Sequence, residues 1–130
     1  MTRILAAVAA CLLFIAPAFA QNCATWEAGT ALVAEYSEQH GIKTSGVLLT
    51  VEESRAFWAA FTNTDDPPMM EGERTGILIA DAYPNIAMLF GYGDDGCLFQ
   101  SGEFPFGPVI DALDAAGVKS EFRLLGGEGA

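Results

Sequence analysis

The stretch Thr75–Gly102, TGILIADAYPNIAMLFGYGDDGCLFQSG, sets three short apolar runs between turn signals. Ile77–Ala80, Ile86–Phe90 and Cys97–Phe99 are divided by Tyr83-Pro84-Asn85 and by Gly93-Asp94-Asp95-Gly96. Runs of that length, punctuated by Gly, Pro, Asn and Asp, read as strands joined by tight turns. The stretch therefore reads as an antiparallel meander, and a small sheet of this kind needs flanking helices to bury it.

The flanks supply them. From Ala24 to His40, residues Trp26, Gly29, Leu32, Val33, Tyr36 and His40 recur at three and four, with Glu27, Glu35 and Glu38 opposite, and Gly41 stops the run. Thr50 and Glu53 form a capping-box pair that opens a second helix with the stripe Val51, Phe57, Trp58 and Phe61. A turn is expected over Glu103–Gly107. Pro105 and Pro108 then sit where a helix start tolerates them, and Val109, Ile110, Leu113 and Ala116 mark a third helix ended by Gly117. Gly46–Leu49 and Lys119–Leu125 are short runs that could add strands. The expected fold is α+β: three helices packed on one face of a small antiparallel β-meander, with one disulfide.

Residues 1–20, MTRILAAVAACLLFIAPAFA, join one Arg, an apolar run and a small-residue ending at Ala18-Phe19-Ala20, which is the pattern of a secretory signal peptide. The apolar run Ile4–Ala16 is short of the ~20 residues that span a bilayer. Val8-Ala9-Ala10-Cys11 offers a rival lipidation site at Cys11, but the apolar run before it is too short for a signal core. The expectation is a single exported domain, 21–130, that is periplasmic or secreted. Cys23 and Cys97 remain after cleavage, and an even pair in an oxidising compartment should form a disulfide.

The chain has a formal net charge of −11, and all of its 17 acids follow residue 20. Such a surface repels nucleic acid and anionic lipid, and its natural partner is a basic protein of the cell envelope. The same charge also serves plain solubility.

Motifs for chemistry are sparse. The one histidine, His40, falls at the end of the first helix, where it complements the helix dipole, and no GxSxG elbow accompanies it. With both cysteines bridged, no His/Cys cluster is left for zinc. Gly91-Tyr92-Gly93-Asp94-Asp95-Gly96 matches GxGxxG, yet it joins two strands and carries two acids, so it reads as a turn and not as a phosphate cradle. Neither Asp65-Asp66 nor Asp94-Asp95 follows the alternating pattern of a calcium loop. No cofactor or metal is expected.

The expected function is an exported protein-binding or inhibitor-like module with an acidic surface. One alternative is a small hydrolase using paired carboxylates drawn from Asp81, Asp94, Asp95 and Glu103; another is a structural envelope protein with weak cation binding. The expected contact site is the loop Asn63–Arg74. There Met69 and Met70 form an apolar anchor, and Asp65, Asp66 and Glu71 form an acidic rim.

Export carries a direct test. Mass analysis of the protein recovered from the periplasm is expected to find Gln21 at the N-terminus, whereas an acylated Cys11 would replace the exported domain with a membrane-tethered one.

Overall fold

The computed structural model describes residues 23–126, so the proposed signal segment 1–20 and Cys11 lie outside it. Its elements are α1 (Trp26–His40), β1 (Thr44–Leu48), α2 (Val51–Thr62), β2 (Arg74–Ala80), β3 (Ile86–Tyr92), β4 (Leu98–Pro105), α3 (Phe106–Ala116), a 3-10 turn (Lys119–Glu121) and β5 (Arg123–Gly126). The class matches the sequence reading: α+β, three helices with an antiparallel sheet, and a Cys23–Cys97 disulfide.

Helix boundaries follow local chemistry. The Thr25 hydroxyl accepts from the Ala28 amide at 3.1 Å and opens α1. At α2 the capping box forms in full: the Glu53 amide donates to Thr50 at 3.1 Å and the Thr50 amide to Glu53 at 2.9 Å. Gly41 and Gly117 end α1 and α3 at φ of 67° and 78°, values in the left-handed region that glycine adopts without strain.

The sheet has five strands in the order β4-β3-β2-β1-β5, each antiparallel to its neighbours. The meander β2-β3-β4 is thus extended by β1 on its inner side and by β5 beyond it. One expectation needs correction, because Glu103–Pro105 continues β4 and is not a turn. β4 is an edge strand whose Gln100, Ser101, Glu103 and Pro105 are exposed, so it lacks the apolar alternation that marks the inner strands.

The expectation of three helices on one face is corrected as well: two helices cover one face of the sheet and the third covers the other. On the first face, Ile77, Ala87 and Leu89 meet Phe57 of α2 and Val109 and Leu113 of α3 in the main core. Phe57, Trp58, Phe61 and Phe104 stack around it, with neighbouring ring centres 5.1–6.1 Å apart. A buried polar staple joins this layer to the sheet. The Thr75 amide donates to Ser54 Oγ at 2.8 Å, and the Trp58 indole donates to Thr75 Oγ1 at 2.8 Å.

The opposite face takes α1. β3 reads Ile-Ala-Met-Leu-Phe, apolar on both alternations, so a single helical layer cannot bury it. Gly76 makes the approach possible: a Cβ there would lie 2.5 Å from the Trp26 ring, so only glycine lets the indole rest on the strand. Trp26 then meets Tyr92 edge-on at 6.1 Å.

The disulfide fixes where α1 begins. Its Cα atoms are 5.2 Å apart, within the range for a bridge, and the Leu98 amide donates to the Ala24 carbonyl at 2.7 Å beside it. The cysteines are 74 residues apart, for which the chain-entropy estimate is ~4.5 kcal/mol as an upper figure. The Cys23→Ser, Cys97→Ser double variant is therefore expected to melt at a clearly lower temperature than the oxidised protein, as followed by circular dichroism. Coincident melting curves would mean that the cross-link adds no stability.

Candidate functional site

The disulfide holds the start of α1 over the β4 end of the sheet. Further along the helix, Ser37 Oγ and Thr44 Oγ1 pair at 2.7 Å in a buried contact that holds its second half on β1. The helix therefore runs obliquely from β4 to β1 and β5, and it leaves the Ile86–Pro105 end of β3 and β4 uncovered.

A groove of about 640 Å³ occupies that opening. Leu78 and Ala80 of β2 and Ile86, Met88 and Phe90 of β3 form its floor, Leu32, Val33 and Tyr36 of α1 form one wall, and Tyr83 stands at the mouth. Leu32 and Tyr83 are 69% and 57% exposed, so large apolar side chains face solvent here without a covering element among the described residues. The volume lies in the range of ordinary ligand sites, ~300–1,000 Å³, and the lining has their mostly apolar character. Glu103 is the one acidic side chain lining the groove. At the disulfide end of the same face, burial and then the nearby Glu27 carboxylate hold the Tyr92 hydroxyl above its usual pKa, so it stays neutral there.

The loop singled out from the sequence lies elsewhere. Asp65, Asp66 and Glu71 are exposed, Met70 is 54% exposed, and Met69 is half-buried. The loop leads into the Arg74 end of β2, and the groove mouth lies past the Ala80 end, about 20 Å away by strand rise. Asp65, Asp66, Met69, Met70 and Glu71 thus form a surface separate from the groove. Glu73 turns inward: it is 4% exposed, and its carboxylate accepts from the Met70 amide at 2.9 Å.

The carboxylates that could serve hydrolysis are divided between the two ends of the meander, Asp81 and Glu103 toward the Ile86 end of β3 and Asp94 and Asp95 in the β3–β4 turn. Asp81 accepts from the Lys43 amide at 3.1 Å, and Asp95 accepts from the Cys97 amide at 3.0 Å within the β3–β4 turn. The glycines of GxGxxG belong to that turn, with Gly96 at φ 84°. Neither of two smaller pockets, of about 130 and 110 Å³, is lined by an acid. Among the described residues no cluster of three or more His, Cys, Asp or Glu is placed to hold a metal ion. His40 is exposed, stacks on Tyr36 at 4.0 Å between ring centres, and its Nδ1 lies 2.9 Å from the Tyr36 carbonyl.

The groove escaped the sequence reading because its residues look like core. Its signal was the double-sided apolarity of β3 together with Leu32 and Tyr36 one turn apart on α1. Comparison with family models, with curated proteins and with solved structures finds no match to this chain.

The loop can be tested by stability alone. Glu73→Ala leaves the Met70 amide without its acceptor and is expected to cost about 1–3 kcal/mol in urea unfolding. Met70→Ser, at an exposed position, is expected to stay within about 0.5 kcal/mol of the parent.

Proposed function

We propose that this chain is an exported, inhibitor-like binding module that takes a basic protein partner of the cell envelope on the groove beside α1. The observation that carries the reading is the groove: an open apolar surface of about 640 Å³ between α1 and the sheet, with Glu103 on its wall. A formal net charge of −11 favours a basic partner and speeds its approach. The cross-link between Cys23 and Cys97 suits an oxidising compartment outside the cytoplasm, in keeping with the signal pattern of residues 1–20. Among the described residues no helix is long and apolar enough to cross a membrane. In this reading the acidic loop bearing Asp65, Asp66 and Glu71 contributes to the field that draws the partner in, and the groove makes the contact.

The test is affinity capture from an envelope extract, comparing the parent with the Leu32→Glu, Tyr83→Glu double variant. Both positions are exposed, so the variant should fold. A basic protein held by the parent and lost by the variant is the expected result. If the variant keeps that protein and Met70→Ser loses it, the contact belongs to the loop, and capture of nothing above background by the parent would sink the proposal.

A further inference from the structure

We infer that the groove is the docking place of a partner's amphipathic helix, about three turns long, with an apolar stripe and Lys or Arg along its flank. This deepens the binding-module reading and rests on it.

The argument begins with widths. Five strands at ~4.8 Å spacing span about 19 Å, and helices pack ~10 Å apart, so one face of this sheet has room for two helices side by side. The first face holds two, α2 and α3, packed against each other. The opposite face holds α1 alone, which starts against β4 and crosses to β1 and β5. What remains is the corner over the Ile86 end of β3 and the Pro105 end of β4, with room for one more helix.

Length follows from the strand beneath. The groove floor runs along β3 from Phe90, partly beneath α1, to Ile86, four residue steps or about 14 Å, which is the rise of about nine helical residues. Leu78, Met88 and Phe90 offer the ridged apolar surface that a stripe at i, i+3, i+4 and i+7 would meet, and Leu32 and Tyr36 present the side of α1 to the newcomer.

Charge selects the partner's flank. Glu103 lies where β4 borders the strip, and Asp81 follows Ala80 just before the Tyr83 turn at the mouth. None of the acids of α1, Glu27, Glu35 and Glu38, lines the groove, and they add to the surrounding negative field. A second copy of this chain would bring the same net charge of −11 to the contact, so self-association is opposed. A basic helix is favoured by both the local and the overall charge.

Three synthetic peptides of about three turns test this against the full mature chain: a Leu stripe with Lys flanks, the same stripe with Glu flanks, and the Lys flanks with Ser in place of Leu. Titrations read by isothermal calorimetry and by amide shifts are run at about 0.15 M salt, where exposed charges are screened beyond ~8 Å. The Leu/Lys peptide is expected to shift amides at Ile86, Met88, Phe90 and Leu32. It should lose about tenfold or more in affinity against the Leu32→Glu, Tyr83→Glu variant and about threefold or more against Glu103→Gln, while the other two peptides bind weakly. Equal binding of the Ser/Lys peptide, or shifts centred on residues 63–73, would mean that charge alone binds and would overturn the inference. Failure of the Leu/Lys peptide alongside a groove-dependent captured protein would overturn the helix and leave the binding-module reading standing. Groove shifts from dodecyltrimethylammonium but none from the peptide would give the site to a small cationic amphiphile and overturn it as well.

Discussion

The course of α1 is the constraint on which the rest of this structure turns, and two contacts set it. Cys23–Cys97 fastens its leading end to β4, and the Ser37–Thr44 hydroxyl pair seats its second half on β1. These anchor points lie on different strands and toward opposite ends of the sheet, so the helix has to cross obliquely. A helix laid along the strands would have covered β3. Because it crosses, one corner of an apolar face stays open, and the groove is a direct consequence of the anchoring.

The two faces do different work. The first is closed by α2 and α3 over Ile77, Ala87 and Leu89, and its buried polar groups are paired through Ser54, Thr75 and Trp58. That side carries most of the burial that stabilises a chain of this size. The second face gives up part of its burial. Exposed apolar surface on a small protein invites association, and the strongly acidic exterior counters it by keeping copies apart. The same acidity narrows the partners that can approach.

The acids are not uniform in role. Glu53 caps α2, Asp95 shapes the β3–β4 turn, Asp81 holds the Lys43 amide and Glu73 secures its own loop from within. Each is spent on a backbone amide that would otherwise lack an acceptor. Glu121 shows the cost of crowding: desolvation, the charge of Glu53 and a hydrogen bond to it hold its carboxyl above the usual carboxylate range, and Arg123 pulls it partly back. Glu103, by contrast, has no such structural duty among the described hydrogen bonds and stands on the groove wall.

By itself the sequence determined the local structure. Thr50 with Glu53, Gly41, Gly117 and the Tyr83-Pro84-Asn85 turn act over a few residues, so the helices, the two inner strands of the meander and their stops could be read from spacing. The pair Cys23 and Cys97 could be matched because only two cysteines follow the signal pattern. Tertiary structure decided what depends on distant neighbours: that β1 enters beside β2, that β5 closes the far edge, that polar Glu103 continues an edge strand, and that α1 takes the face opposite α2 and α3. Periodicity says which side of an element is apolar but not which surface it meets. For that reason Met69 and Met70 stood out in the sequence, whereas Met88 and Phe90 looked like ordinary core until the oblique α1 left them uncovered.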